Sequence, residues 1–408
     1  MRRFTCIIAI GLLTSLMSNA QNLEKYLEIA AQNNPGLKAK YVEFEAALQK
    51  VEQVNRLNDP TFSFGYFISP VETRVGAQRM KFSLGQMFPW FGTLDARQDI
   101  ASQLAESKYQ EFLAKQLLLY RNVKKAYYPI LELGEHIKIQ QNNLKLLNTY
   151  KELANIQFSN GKATMVDVLR VDIKMEDLES KISLLNDKRS PLEATFNLLL
   201  NRAADTIVLL DSFPKAVSEY YGAQDSLWLN NPKIAAFELR IGAAKSNENL
   251  ATLSSRPQIG IGLDYVVVSK RNVSTIPDDG KDILMPMATV TLPLYRSKYK
   301  AAIKEANLQQ EVLNLYKKDY ENNLLSQYTL AKYKYDESLE LIRLYTSEVT
   351  KTKRILGLLA ISYGTNGKDY VELLRAQQTL LEHELTLSTQ WKEYHIAVAQ
   401  LDYLTNKK

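Results

Sequence analysis

The chain has 408 residues, of which 46% are hydrophobic and 24% charged, so it can bury a large core and is not a disordered chain. Its formal net charge is +6 and it contains no block of basic residues, which gives no electrostatic case for binding nucleic acid. The single cysteine is Cys6, which excludes a disulfide within the chain.

Residues 1–20 have the pattern of a secretory signal peptide. Arg2 and Arg3 form a basic start, a short apolar run follows, and the residues up to Ala20 fit a small-residue cleavage site. Removal of this segment would leave 49 basic and 45 acidic residues, a net charge of about +4. A membrane anchor is the alternative, but the apolar run is short for a span.

Motifs recur in the same order in the two halves of the chain, which predicts that one structural unit is used twice. The tripeptide NNP occurs at 33–35 and again at 230–232, and VDVLR at 166–170 corresponds to VELLR at 371–375. The predicted divisions are a first repeat, a linker and a second repeat at residues 21–201, 202–224 and 225–408.

Each repeat is predicted to contain a helix, a pair of strands and a long helical hairpin. Alternating apolar residues indicate the strands, and Asn-Gly-Lys segments indicate the hairpin turns. In the first repeat the helix is expected at 23–57, the strands at 61–69 and 80–88, the turn at 159–163 and the returning helix at 165–201. In the second repeat the strands are expected at 257–269 and 287–294, and the turn at 363–369.

The long helix of the first repeat carries apolar residues alternately four and three positions apart from Leu119 to Phe158. This spacing is typical of a coiled-coil seam. Pro129 lies within the seam, so we expect either a kink there or a junction between two stacked helices.

Four tilted strands in one chain cannot close a barrel, whereas three chains would supply twelve, an even number within the range of outer-membrane barrels. Ile259, Ile261 and Leu263 would then face lipid, and Gly260 and Asp264 a wet lumen. A small soluble sheet packed on the helices is the alternative. The predicted fold class is mainly α with a small β part: long antiparallel coiled-coil helices and four strands per chain, with trimerisation into a barrel above an α-helical tunnel.

Several motifs together carry a family resemblance. FPWFG at 88–92 and TLPLY at 291–295 end the strand pairs, and NGKATMVDVLR and YGTNGKDYVELLR join the turns to the returning helices. With the duplication, these segments make residues 22–405 similar to the TolC-like outer-membrane efflux channels. The resemblance implies a homotrimer in the outer membrane of a Gram-negative bacterium, extending into the periplasm. It also implies docking through a periplasmic adaptor protein to an inner-membrane efflux pump of the resistance-nodulation-division type, exporting drugs or heavy-metal cations.

Charged residues follow both hairpin turns. Asp167 and Arg170 begin one returning helix and Glu372 and Arg375 the other, and each pair lies on one helix face. The plain interpretation is two weak surface ion pairs. The resemblance implies instead a gate at the periplasmic tip. The family's best-known member has a second acidic residue at the position of Arg375, so the rings of charge expected here are mixed.

The resemblance also makes the two hairpin turns candidates for contact with the adaptor. The residues concerned are Asn160, Gly161, Lys162, Asn366, Gly367 and Lys368.

No constellation in the sequence predicts catalysis or a cofactor. The three histidines share no helical turn, and each is expected to be exposed: His136, His383 and His395. Met285 and Met287 flank Pro286 and have the soft chemistry that binds copper or silver, but methionines at the start of a strand more often pack. We therefore expect no metal site and no enzyme.

The predicted function is a passive outer-membrane channel in a three-part pump. The alternative is a soluble periplasmic coiled-coil adaptor or scaffold, which would stay in the aqueous fraction of a cell extract.

Overall fold

A computed structural model describes residues 21–214, 227, 231–271, 275–366 and 369–407. The predicted signal peptide and residues 215–224 of the predicted linker lie outside this part of the chain.

Two short helices precede the sheet, where the sequence predicted one. Helix α1 covers Gln21–Asn33 and α2 covers Pro35–Val54, with Asn34 between them. The side chain of Asn34 accepts a hydrogen bond from the Leu37 N–H at 3.1 Å and donates one to the Leu199 carbonyl at 3.0 Å. The prediction of a single helix at 23–57 is therefore wrong. Asn34 caps the start of a second helix, and Pro35 at its first position has no N–H to continue the hydrogen bonds of the first.

Four strands form one antiparallel sheet in the order β1-β2-β3-β4. Their bounds are Thr61–Thr73, Gly76–Phe88, Gln258–Ser269 and Ile283–Thr291. The two strands of each predicted repeat are neighbours, and β2 pairs with β3 across the repeats. Among the described residues, β1 and β4 each have only one strand partner, so both edges of the sheet are open.

The strands of the first pair are longer than expected. The expected strands left segment 70–79 between them, but residues 70–73 continue β1 and residues 76–79 begin β2. The register of the β1–β2 pairing shifts between Tyr66 and Val71. Pro70 lies in this irregular stretch, where its lack of an N–H interrupts no regular strand hydrogen bond. The turn closes at Gly76, whose φ of 124° suits glycine. In the second pair, β4 begins at Ile283 and ends at Thr291, so the expected bounds of 287–294 are displaced.

The sheet has two chemically different faces, as the alternation predicted. One face is apolar and its large side chains are exposed: Phe62, Phe64, Tyr66, Leu84, Ile259, Ile261, Leu263, Tyr265, Leu284 and Val290. The other face carries glycine, hydroxyl and charged residues, among them Lys81, which forms an ion pair with the fully buried Asp264 on the neighbouring strand. Among the described residues, none covers these exposed side chains of the apolar face.

Two long hairpins follow the two strand pairs. The first consists of α3 (Thr93–Ser159), α4 (Met165–Asp187) and α5 (Arg189–Leu199). In the predicted second repeat, α6 (Pro232–Leu253) precedes β3, and α7 (Arg296–Asn366) and α8 (Tyr370–Thr405) form the hairpin. Helix α3 continues through Pro129 as one element of 67 residues, about 100 Å long, so a junction of two helices there is wrong. The returning helix expected at 165–201 ends at Asp187 and restarts at Arg189.

The chain divides into two compact units. The first comprises residues 1–39, 113–231 and 321–408, and contains both hairpin tips. Its α3 seam is buried at most positions from Leu119 to Ala154, but Phe158 is 46% exposed, so the seam ends before the turn. The second unit comprises residues 40–112 and 232–320, and contains the sheet. None of the helices in the described part of the chain is both long and apolar enough to cross a membrane.

Candidate functional site at the hairpin tips

The first hairpin turn is short and exposed. Helix α3 ends when the Gly161 N–H donates to the Phe158 carbonyl and the Lys162 N–H to the Gln157 carbonyl, both at 2.9 Å. Gly161 has a φ of 71°, the left-handed conformation that closes many helix C-termini. The side chains of Asn160 and Lys162 are exposed. Both are therefore accessible to a partner, although their role in docking remains a prediction.

Asp167 has a structural role as well as a charge. Its carboxylate accepts hydrogen bonds from the backbone N–H and the hydroxyl of Thr164, at 3.2 and 3.1 Å. Arg170 lies 3.6 Å from the same carboxylate, and the Asp167 side chain is only 15% exposed. Asp167 thus holds the start of α4 in place, where a negative charge also suits the helix dipole. This role was not among the predictions, although threonine followed three residues later by an acidic residue is its usual signal.

The second turn joins α7 to α8. Gly367 and Lys368 lie outside the described residues, and Asn366 is the last residue of α7. Asp369 follows with a left-handed φ of 70°, and its carbonyl accepts the Leu373 N–H at 3.0 Å.

The predicted ion pair of α8 forms, and it is exposed. Arg375 Nη1 lies 2.7 Å from Glu372 Oε1, and the two side chains are 69% and 53% exposed. Because both residues belong to one helix and face solvent, this pair adds little to the stability of the single chain. Any larger role for it depends on contacts beyond the chain.

A groove of roughly 670 Å³ between α4 and α8 brings the two basic residues of the predicted gate together. Arg170 and Arg375 both line it, together with Lys174, and its one acidic lining residue among those described is Glu382. Ile173 and Val371 add exposed apolar surface. The groove is therefore cationic on balance, with three basic side chains and one acidic side chain among its lining residues.

Beneath the groove, the ends of both hairpins share one buried cluster. Its members are Leu147, Tyr150, Ala154, Val168, Val171, Leu178, Leu356, Tyr363, Tyr370, Leu373, Leu374 and Leu380. The rings of Tyr363 and Tyr370 lie 4.5 Å apart, and the Tyr370 hydroxyl donates to the Tyr150 carbonyl at 3.4 Å. Burial raises the pKa of Tyr150 and of Tyr363 to about 12, so both stay neutral at physiological pH. The two hairpins therefore pack as one body at their tips.

Polar bonds also join the two hairpins. Gln157 Nε2 donates to the Gly364 carbonyl at 2.9 Å, and Lys174 Nζ donates to Gln378 Oε1 at 2.9 Å. These contacts were not predicted, because the partners are more than 200 residues apart and no local pattern relates them. The recurrence of the same turn motif in the two halves of the chain was the one available signal for this contact. It places equivalent turns at corresponding ends of the two hairpins.

The histidines predicted to be exposed are wrong assignments. His395 is 8% exposed, its ring stacks 4.8 Å from that of Tyr128, and its Nε2 lies 2.8 Å from the Pro214 carbonyl. Burial lowers its pKa. The side chain of His136 is 20% exposed, with Nε2 3.2 Å from the Leu385 carbonyl. Across the described residues, no group of three or more histidine, cysteine, aspartate or glutamate residues is placed to hold a metal ion.

Comparison with known proteins gives relatives of one kind. The sequence profile of the family described as outer membrane efflux protein matches residues 26–202. The pyoverdine export outer membrane protein OpmQ of Pseudomonas putida is 24% identical over 182 residues, which cover 43% of this chain and 38% of OpmQ. The matched segment thus spans well under half of that relative.

Solved structures share the fold over nearly the whole chain. The outer-membrane channel OprN has a TM-score of 0.78 at 16% identity, covering 95% of this chain and 90% of OprN. The outer membrane protein VceC of Vibrio cholerae has a TM-score of 0.75 at 15% identity, covering 95% of this chain and 96% of VceC. This fold confirms the predicted class of long helices with a small β part.

The matched profile and the solved structures with this fold are those of outer-membrane channels, which does not favour the alternative of a soluble adaptor. The matched profile and OpmQ are both described as outer-membrane proteins, which agrees with the expected location in the outer membrane. The profile match over residues 26–202 and the shared fold across 95% of the chain thus agree with the motifs of the sequence: residues 26–202 match the outer membrane efflux protein family, and the chain as a whole has the fold of the outer-membrane channels.

Proposed function

We propose that three copies of this chain form an outer-membrane efflux channel that provides a passive exit for cargo. The observation that carries the proposal is the sheet, with an exposed apolar face and two open edges. Exposed apolar patches of this extent indicate a surface that another molecule or a membrane covers. A sheet with open edges also invites pairing with a second strand.

Trimerisation satisfies both requirements together. With four antiparallel strands, β1 and β4 run in opposite directions, so β4 of one copy can pair antiparallel with β1 of the next. Three copies give twelve strands, and closure removes every edge. The apolar face then contacts outer-membrane lipid and the face with Asp264 lines the channel.

We infer that the channel works with a periplasmic adaptor and an inner-membrane pump, which supplies the energy. The sequence contains no phosphate-binding loop that would bind a nucleotide, and no arrangement that supports catalysis. The adaptor is proposed to contact the exposed turn at Asn160–Lys162 and its counterpart at Asn366–Lys368. The proposed cargo is a drug or a heavy-metal cation. We also propose that each chain consists of two repeats joined by a linker at 202–224.

The gate is proposed to lie at the hairpin tips. The two returning helices begin with the four charged residues Asp167, Arg170, Glu372 and Arg375, and both arginines line the same groove. Three copies would place these charges in mixed rings around the entrance. The packed cluster below them gives each copy a rigid tip, so opening would move whole hairpin tips and not single side chains.

A pair of lysine substitutions tests the membrane face. Leu263→Lys places a charge on the apolar face, where lysine at the bilayer midplane costs roughly 2–4 kcal/mol. Thr289→Lys is the matched control, since Thr289 is also exposed but lies on the polar face. We expect the wild-type protein and Thr289→Lys to sediment with outer membranes and run as a heat-modifiable trimer in detergent, and Leu263→Lys to lose both properties. A wild-type protein that stays monomeric in the aqueous fraction would overturn the proposal.

A further inference from the structure

Methionines are concentrated on one face of the sheet. Of the eight methionines, six lie beyond residue 20, and three of these six share the polar face: Met87 on β2, with Met285 and Met287 on β4. Met80 lies in the same strand as Met87 but on the apolar face, opposite Tyr66. Met285 and Met287 are 43% and 38% exposed, so they do not act as core packing within the chain. Their position on a polar face calls for another explanation.

Two glycines of β3 form a floor without side chains between these methionines. Met87 pairs with Gly260, and Met287 pairs with Gly262, two residues further along. A Cβ atom at Gly260 would lie 2.3 Å from the sulfur of Met87, and one at Gly262 would lie 3.4 Å from the terminal methyl of Met287. Both side chains thus lean over β3 from opposite sides. Glycine inside a strand weakens it and often marks a place where another group approaches closely.

The thioethers of Met87 and Met287 border a cavity of roughly 220 Å³, and Met285 lies two residues from Met287 on the same face of β4. The other lining groups of the cavity are neutral, including the hydroxyls of Ser63, Ser83 and Thr289. The nearby carboxylate of Asp264 is paired with Lys81. A hard divalent cation, which requires several free oxygen ligands, therefore finds no free carboxylate at this place.

The remaining metal-binding groups on this face are the methionine sulfurs. Residues 21–408 contain no cysteine, and no histidine occurs in the sheet segments, so thioethers are the soft ligands available there. Thioether sulfur selects Cu(I) and other soft monovalent ions over Zn²⁺, Mg²⁺ or Ca²⁺. Flexible methionine side chains can close around such an ion by rotation about their own bonds, because no side chain separates them at Gly260 and Gly262.

We propose that Met87 and Met287, with Met285 as a third donor, form a binding site for a soft monovalent cation such as Cu(I) or Ag(I), one site per chain. The inference rests on the proposed function only in placing this face along the exit path. Binding itself requires the sheet and not transport. In a trimer the three sites lie on the channel wall.

Competition for Cu(I) tests the site. The purified protein in detergent is titrated against Cu(I) held by bicinchoninate, whose colour reports how much metal the protein removes. We expect one Cu(I) per chain for the wild type, and at least tenfold weaker binding for Met87→Leu/Met287→Leu. Leucine keeps the volume of methionine, so the fold is retained. Met80→Leu is the matched control from the opposite face and should bind as the wild type does.

A second variant keeps all the sulfur. Gly260→Ala places a methyl group where the Met87 sulfur lies, and should weaken Cu(I) binding several-fold with every methionine present. Equal binding by wild type and Met87→Leu/Met287→Leu, or no binding by the wild type, would refute the site. Trimer formation and conductance, measured on the same samples, report separately on the channel and are expected to be unchanged in both methionine variants.

Discussion

Removing the exposed ion pair of α8 tests whether the hairpin tip is a gate. Glu372→Ala/Arg375→Ala deletes both charges at once, so neither partner is left unpaired. The pair is formed within one helix at 2.7 Å, and both side chains are more than half exposed. Folding of the single chain should therefore change by less than about 1 kcal/mol.

The effect on opening is larger if the pair holds the closed trimer together. An exposed pair contributes on the order of 0.5 kcal/mol, and three copies give about 1.5 kcal/mol. Since about 1.4 kcal/mol corresponds to a factor of ten, the open fraction should rise roughly tenfold. Single-channel recording in planar bilayers measures this fraction, and thermal unfolding followed by circular dichroism checks that the fold is retained.

The chain offers a matched control on α7. Glu340 and Arg343 form the same type of pair, three residues apart, with side chains 77% and 75% exposed, but away from the tip. Glu340→Ala/Arg343→Ala should leave conductance unchanged. If the tip variant conducts as the wild type does, or if both variants raise conductance equally, Glu372 and Arg375 do not form a gate.

Three further predictions concern stability. Leu373→Ala, at a fully buried position of the tip cluster, should destabilise the tip by about 2–5 kcal/mol and speed hydrogen exchange in α8, whereas Val371→Ala at an exposed position should not; equal exchange would contradict the packing. Lys81→Ala leaves the buried Asp264 carboxylate without its cation and should lower the melting temperature of the trimer more than Lys81→Ala/Asp264→Ala does; the reverse order would exclude a stabilising role for Lys81. Burial lowers the pKa of His395, so the unfolded chain takes up a proton first as the pH falls below about 6.5. The melting temperature should therefore fall between pH 7.5 and 5.5, and by less in His395→Phe; an identical fall in both proteins would exclude His395 as a contributor.

Local sequence patterns predicted the strands and the long helices. They failed where the structure depends on pairing or contacts with distant parts of the chain. The alternation around Ile261 identified both faces of the sheet, because the period of two is a property of the strand itself. Segment 70–79 was misassigned, since its turn-forming composition is overcome by pairing with neighbouring strands. Asn34 was placed in the middle of a helix although Asn34-Pro35 is a local signal for a helix start, and only its bond to the Leu199 carbonyl lay beyond local information.

The candidate site divides in the same way. Asp167 and Glu372 could be identified from their places in the first turns of helices, and the spacing to their arginines predicted both ion pairs. The burial of His395 could not be predicted, because its neighbours Tyr128 and Pro214 are far from it in sequence. Motif spacing thus located the tips, and only the packed structure showed how the two hairpins are held together there.

The open edges of the sheet have a genetic consequence. In the proposed trimer every copy supplies β1 to one seam and β4 to another, a head-to-tail arrangement in which one faulty edge strand in a single copy disrupts one of the three seams and prevents the barrel from closing. A cell that makes normal and edge-defective subunits together would incorporate the faulty ones into most of its assemblies. Edge mutations in β1 or β4 should therefore behave as dominant inhibitors, whereas a subunit unable to fold at all would behave as recessive.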